Sequence, residues 1–323
     1  MKQIRIKFIS GQGRERIYTK ELERTFKGKY EFIVSDDPEY VVSFASIPDF
    51  LEYDCIRIQI IGENLRPDFN LCDYAIGFDS IKYEDRYLRW PLYADYETFA
   101  LALNKHELKE NMDYLNRDFC SFVVSNGNNA DIIRDEFLRR LEEYRHVASG
   151  GRYMNNVGGP VDDKIEFQNK YKFSVAFENT ATNGYITEKI IDSWAAKTVP
   201  IYFGAKDITK EFNSKAFINY ADYGSIDKLI KRVREVDEDD DEYMSILHAP
   251  ICLKESRANQ YIDRTGLHDF FDNIFSQDYA DAKRIQNKYF WGRDYENRLR
   301  EYDKMKKSKL VHVAYCIDSK FIR

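Results

Sequence analysis

What this chain lacks narrows its roles before any motif is read. No apolar run approaches the roughly 20 residues of a membrane-crossing helix. The opening MKQIRIKFIS alternates like a strand and carries no continuous apolar stretch of the secretion-signal kind. A disulfide framework is not expected, because the five cysteines (Cys55, Cys72, Cys120, Cys252 and Cys316) are odd in number and scattered, as reduced cytosolic thiols are. The five histidines (His106, His146, His248, His268 and His312) show no metal-ligand spacing, so no metal site is predicted. Positive charge is not in surplus: 49 Lys and Arg against 55 Asp and Glu leave a net charge of −6, which argues against nucleic acid as a general partner. No heptad array is present that would set an oligomeric state.

What is present is globular material rich in rings. Hydrophobic residues make up 43% and charged residues 32%, as in ordinary folded domains, and 323 residues suffice for two of them. The 24 Tyr and 22 Phe suit carbohydrate sites, although most rings belong in a core. Ile4, Ile6 and Phe8 alternate with Arg5 and Lys7 and predict a first strand. Gly11-Gln12-Gly13 then turns into a helix over about 15–26; Arg16 stands where a third glycine would be, which makes a poor dinucleotide fingerprint. Strands near 30–34, 40–44 and 55–61 alternate with short helices, which predicts an α/β layered domain with a mainly parallel sheet. Glu63 follows the last of these strands, at the sheet end where α/β proteins bind ligands. A turn cap or an ion pair with Arg66 is its alternative use. Extended segments follow over 73–78 and 87–93, then a helix and linker over 96–117, with a domain boundary near Arg117.

The second half opens with a strand over 119–124, a turn-rich loop Ser125-Asn126-Gly127-Asn128-Asn129, and a helix over 130–144 with Ile133, Phe137 and Leu141 inward. Arg134 falls in its first turn. A cation there is unfavourable unless an anion joins it, so Arg134 is a candidate phosphate ligand, with a solvated surface role as the alternative. The Gly/Asn loop over 149–159 allows close approach of a ligand or is a plain flexible turn. The acidic run over 237–242 reads as a solvated loop that caps the next helix, not as a metal site. From Lys254 the pattern is helical and rich in Tyr and Phe. Lys304, Lys306, Lys307 and Lys309 cluster in a charged segment that either meets a membrane surface or packs back on the first domain.

The densest signal is residues 171–205, YKFSVAFENTATNGYITEKIIDSWAAKTVPIYFGA. Tyr171, Phe173, Val175 and Phe177 alternate with Lys172, Ser174 and Ala176 as a strand. A run of turn formers from Glu178 to Gly184 follows, then a helix with Ile186, Ile190, Ile191 and Trp194 on one face, then a short apolar strand ended by Gly204. Thr187, Glu188 and Lys189 thus sit at a helix start, where free N–H groups and the helix dipole favour a phosphate or diphosphate. Glu188 beside a phosphate suits a second task, such as holding a sugar hydroxyl, and the combination suggests a nucleotide sugar. Ordinary first-turn charges are the competing reading.

These residues resemble a known family. The run FEN…GYITEKIIDSW…TVPIYFGA…FN…FIN is similar to the donor-binding signature of the alpha-1,3/4-fucosyltransferases, glycosyltransferase family 10. The block GENLRPDFNLCDYAIGFDSIKYEDRYLRWPLY resembles the bacterial members, its RWPLY matching R-x-P-L-Y, and SFVVSNGNNADIIRDEF resembles the block between them; together they cover about 56–223. Lys197 stands where the family often has Gly, Phe203 where it often has Trp, and Ser214 where it often has Pro. The resemblance implies α/β GT-B architecture, with two Rossmann-like domains facing across a cleft. Residues 1–117 would form the acceptor side, 118–295 the GDP-fucose-binding domain, and 296–323 a charged tail. It implies an inverting alpha-1,3-fucosyltransferase that moves L-fucose from GDP-β-L-fucose to a GlcNAc- or Glc-containing acceptor, such as N-acetyllactosamine, giving a Lewis x-type product. By the same resemblance Glu63 is the general base, Arg134 and Lys189 stabilise the diphosphate, and Glu188 holds fucose. Asn179, Tyr185 and Thr187 contact the nucleotide or phosphates. Trp90 and Tyr93 line the acceptor side or serve packing. No metal is strictly required, with Mn²⁺ as a stimulant rather than a ligand of the site. The expected partners are GDP-fucose and a glycan acceptor. The expected location is the cytoplasm, with peripheral contact at the inner face of a bacterial membrane, since the anchor of animal members is not seen. A GT-B enzyme with another nucleotide sugar, or a non-catalytic carbohydrate-binding protein, are the alternatives.

Overall fold

A computed structural model describes residues 1–11, 13–44, 49–108, 112–127, 130–285 and 290–307. Gln12 of the GxG turn, Asn128 and Asn129, and the tail from 308 with Lys309, His312 and Cys316 lie outside the described residues. The chain forms two compact units. The first holds Met1–Gly77, Lys82–Leu88 and the chain from Leu267 on; the second holds Phe78–Ile81 and Arg89–Gly266.

In the first unit, β1 (Lys2–Ile9), β2 (Tyr30–Val34), β3 (Tyr40–Ser43), β4 (Ile56–Ile60), β5 (Tyr74–Gly77) and β6 (Tyr87–Arg89) make one six-stranded sheet in the order β2-β1-β3-β4-β5-β6. The pairings from β2 through β5 are parallel. β4 and β5 are buried at every position, as strands covered on both faces are. The helix Arg14–Thr25 crosses from β1 to β2 and buries Tyr18 and Leu22.

The second unit repeats this plan. β7 (Asp118–Phe122), β8 (Val147–Ser149), β9 (Tyr171–Phe177), β10 (Val199–Phe203) and β11 (Ile218–Asn219) form a five-stranded parallel sheet in the order β11-β10-β9-β7-β8. Counted from its own first strand, the second unit has the doubly wound order 2-1-3-4-5 and the first has the same order with a sixth strand added at its end; in both the winding reverses between the first and third strands. The helices Ile132–Glu142 and Ile226–Glu238 cover this sheet, and Phe122, Phe137, Phe173, Ile201, Leu229 and Val233 lie in its core.

Several elements differ from the expectation. The compact units divide at Leu88/Arg89 and at Gly266/Leu267, where the sequence suggested bounds near 117 and 295. The helix Thr265–Ser276 belongs to the first unit because its ring face covers the first sheet: Phe275 meets Phe26, Tyr30, Phe32 and Tyr40 edge-on. The helix Phe290–Lys307 begins ahead of the expected tail and is tied to the first unit by Glu296, which pairs with buried Arg57 at 2.9 Å. The extended segment 87–93 is strand only to Arg89; a 3₁₀ turn Leu92–Asp95 follows, and helix in 96–117 is confined to Thr98–Leu103 among the described residues. The acidic run is not a loop. Asp237 and Glu238 end one helix, Asp239 caps the next through Glu242 N, and Asp237 is buried beside Arg145 and Lys172.

Within RWPLY, Trp90 and Tyr93 are both buried, so packing is their observed use. Arg89 and Tyr93 converge on buried Glu211, at 2.7 Å each. Lys197 has φ +57°, the left-handed region that favours glycine. Its ammonium compensates by donating to the carbonyls of Asn104, Lys105 and Glu107.

Candidate active site

In doubly wound sheets the strand ends on either side of the winding reversal are splayed apart, which leaves room for a ligand. In the second unit those ends are β7 and β9. The loop after β7 leads into the helix Ile132–Glu142, and the loop after β9 leads into the helix Glu188–Ala195. Asp131 joins the two loops. Its N–H donates to Asn179 O at 2.9 Å, while its carboxylate caps the first helix at Ile133 N. Phe137 stacks on Phe177 beneath, with ring centroids 4.7 Å apart.

Arg134 stands in this junction and is 0% exposed. The solvated alternative is therefore not what the fold builds. Its guanidinium lies 5.2 Å from the Tyr153 ring and 6.0 Å from that of Phe122. Nη2 reaches Asn126 O and Gly127 O only at 3.4 Å, and Nε and Nη1 have no hydrogen-bond partner. Buried donors are nearly always satisfied. Among the described residues, apart from Asp135 Oδ1, 3.7 Å from Nε, the guanidinium has no acid beside it, so this strand end presents a buried cation with two donors unused by the protein.

The Gly/Asn loop after β8 closes one side of Arg134. Gly151 is required there, since a Cβ would lie 2.0 Å from Val124 O. Asn155 and Asn156 brace the loop itself: Asn155 bonds Gly151 O, Gly159 O and Gly159 N, and Asn156 bonds Ser149 N and Val147 O. Tyr153 hydrogen-bonds Asp135 beside Arg134. The loop is thus a braced wall and not a plain flexible turn.

At the other helix start, Thr187 is the N-cap residue, and Glu188 and Lys189 open the helix. The Lys189 ammonium lies 3.0 Å from Thr187 Oγ1 and 3.3 Å from both Glu188 Oε1 and Glu178 Oε2. Burial opposes the charge on Lys189, but Glu178 and Glu188 outweigh it and hold the ammonium well above the ordinary lysine range. Burial likewise pushes Glu188 upward, yet Lys189 and Lys164 draw its carboxyl down to about 2. Both groups are therefore charged at neutral pH. Tyr185 is buried against Phe78, rings 5.3 Å apart and edge-on. The N–H and hydroxyl of Thr187 are both committed to Glu178.

The structure thus brings Thr187, Glu188 and Lys189 together and links Asn179 to the Arg134 helix. Glu63 belongs to the first unit. It follows β4 on an exposed bend, with Leu65 N donating to its carbonyl. Arg14 Nη1 lies against the preceding glycine, 3.1 Å from where a Gly62 Cβ would be. Sequence reasoning passed over Arg14, Asp131, Lys164 and above all Glu178, which it took for one turn former among several. An acid directly after the apolar run Val175-Ala176-Phe177 that ends the strand was the available signal. Among the described residues no group of three His, Cys, Asp or Glu side chains is placed to hold a metal ion, and no helix is long and apolar enough to cross a membrane.

The description "Alpha-(1,3)-fucosyltransferase FucT N-terminal domain" matches residues 6–96, and "Glycosyltransferase family 10 (fucosyltransferase) C-term" matches residues 115–248. The alpha-(1,3)-fucosyltransferase FucT of Helicobacter pylori is 35% identical over 256 residues, which are 69% of this chain and 53% of that protein. This chain therefore spans about half of its length. A crystal structure of an alpha1,3-fucosyltransferase superposes with a TM-score of 0.73 at 30% identity, over 86% of this chain and 91% of that one. A crystal structure of alpha1,3-fucosyltransferase with GDP-fucose matches with a TM-score of 0.69 at 29% identity, over 86% and 92% of the two chains.

Proposed function

The chain belongs to glycosyltransferase family 10, the fucosyltransferases, with an α/β GT-B fold, and on that premise we propose that it transfers L-fucose from GDP-β-L-fucose to a hydroxyl of a GlcNAc- or Glc-containing glycan, with inversion. The observation that carries the proposal is the Arg134 guanidinium, wholly buried with two open donors at the β7/β9 strand ends. Arg134 and Lys189 neutralise the diphosphate as it departs, which is where negative charge develops in the transition state. Glu188 faces the fucose; held ionised, it also steadies positive charge developing on the sugar ring. Asn179 and Tyr185 contact the nucleotide side. Thr187 acts through its bonds to Glu178 and Lys189.

Glu63 takes the proton of the attacking hydroxyl. The acceptor oxygen then bonds to the anomeric carbon from the face opposite the diphosphate. The bond from that carbon to the phosphate oxygen breaks, and GDP leaves with the electron pair. N-acetyllactosamine is the acceptor we expect, giving an alpha-1,3 linkage of Lewis x type. Two cations and helix N–H groups supply the positive charge, so turnover is expected without a metal, with Mn²⁺ as a stimulant. A cytoplasmic site of action fits the free thiols of Cys55, Cys72, Cys120 and Cys252.

The test is GDP release from GDP-fucose in EDTA, with and without N-acetyllactosamine. Acceptor-dependent release is expected. Release that needs Mn²⁺ would overturn metal independence. Release from a different nucleotide sugar in preference to GDP-fucose would overturn the donor. Binding of GDP-fucose without turnover on any glycan would favour a carbohydrate-binding protein.

A further inference from the structure

Glu178 has no part in the reaction as described, yet three segments of the second unit are built around it. It follows β9 and is 0% exposed. Its N–H donates to Phe203 O at 2.7 Å, which fastens it to the end of β10. Oε1 accepts from Thr187 N at 2.7 Å and Oε2 from Thr187 Oγ1 at 2.7 Å. Oε2 also lies 3.3 Å from the Lys189 ammonium. Gly204 makes the room, for a Cβ there would stand 2.6 Å from Glu178 Cγ and 2.4 Å from the Tyr202 hydroxyl oxygen. A carboxylate without solvent is unfavourable unless it is paired and fully hydrogen-bonded, and here one threonine, one lysine and a helix start meet that need.

We propose that Glu178 is the positioning residue of the diphosphate site, fixing the Lys189 ammonium both directly and through Thr187. This rests on the reading that Lys189 meets the diphosphate. A lysine side chain has four rotatable bonds, and a free ammonium would have to be ordered when the ligand arrives. Held in advance, it is ordered at folding, and the loss of freedom is removed from binding and from the transition state. Thr187 serves as the strut: its hydroxyl donates to Glu178 and lies 3.0 Å from Lys189 Nζ. Glu178 is no phosphate ligand itself, since its charge repels an anion and both its oxygens are in use. Burial pushes its carboxyl upward while Lys189 and the Thr187 donors oppose that, so its charge depends on the same partners it positions.

A double-mutant cycle of Glu178→Gln and Lys189→Ala tests this, with GDP affinity read by calorimetry and kcat/KM by GDP release. Glutamine keeps the shape but can accept only one of the two Thr187 bonds and carries no charge. In the otherwise unchanged protein, Glu178→Gln is expected to weaken GDP binding and kcat/KM by tenfold or more. In the Lys189→Ala background, where Arg134 still holds the diphosphate, it is expected to change GDP affinity less than threefold. An equal loss in both backgrounds would mean that Glu178 only shapes the loop, and no loss in either would mean it is idle; each result overturns the proposal while GDP binding by the parent protein leaves the functional reading standing. A parent protein that binds no GDP overturns both. Should Glu178→Gln not fold, Thr187→Val removes the strut alone and enters the same cycle, with a smaller loss of about threefold to tenfold expected only where Lys189 is present.

Discussion

Replacing Arg134 with methionine should push stability and activity in opposite directions. Methionine keeps the unbranched apolar stem and removes the guanidinium. In the free protein, Nε and Nη1 are buried with no hydrogen-bond partner, and each unmet buried donor costs about 1–3 kcal/mol, or about 2–6 kcal/mol for the two. Against this stand two bonds at 3.4 Å and an Asp135 contact at 3.7 Å, together worth about 1 kcal/mol at such lengths. The Tyr153 and Phe122 ring contacts add roughly 1–2 kcal/mol. The balance runs from about 1 kcal/mol against the variant to about 4 kcal/mol in its favour, with its middle on the favourable side. Each kcal/mol moves Tm by roughly 2–4 °C in a domain of this size, so Tm should hold or rise by a few degrees. Losing one preorganised electrostatic donor in the transition state should meanwhile lower kcat/KM by about 10²–10³. Scanning calorimetry without ligand and GDP-release kinetics read the two effects. A Tm lowered by more than about 4 °C with kcat/KM within tenfold would refute the reasoning and make Arg134 a structural residue.

The remaining predictions concern other parts of the chain. Glu63→Gln should leave GDP binding within twofold and abolish transfer; parallel loss of binding would remove Glu63 from the role of base. Gly204→Ala should destabilise by roughly 1–3 kcal/mol and weaken GDP binding, because the added carbon meets Tyr202 and Glu178; an unchanged Tm and affinity would count against the packing described. Lys105 is fully buried, and burial, helped by Lys197, draws it down to about 7. A neutral amine has two N–H groups, which match its two acceptors, Ala216 O and Ile246 O. Between pH 7 and the ordinary lysine value the unfolded chain binds the proton and the folded chain does not, so stability rises with pH in that window and the contribution is lost as pH falls toward 7. Urea unfolding at pH 7 and pH 9 should differ by about 2 kcal/mol more in the native protein than in Lys105→Met; equal differences would show that Lys105 titrates normally.

The sequence by itself determined the elements and the chemistry of their ends. Alternation in residues 2–9 and 171–177 was enough for strands, because a strand's two faces see different surroundings every second residue. A polar loop ahead of an apolar helix face was enough to put Glu188 and Lys189 at a helix start, and Arg134 could be placed in a first turn in the same way. These are contacts within a few residues. What only the tertiary structure decided are pairings between segments far apart in the chain. Nothing local says that the helix Thr265–Ser276 returns to cover the first sheet, since an amphipathic face shows that a helix is covered but not by what. Nothing local separates buried Asp237 from its solvated neighbours, because its partners, Arg145 and Lys172, lie some 65–92 positions away. Glu178 shows the limit most plainly. In the sequence it is an acid in a loop; in the fold, β10 closes over it and Gly204 leaves it space, so that its environment, and with it the placement of Lys189, is set by the order of strands in the sheet.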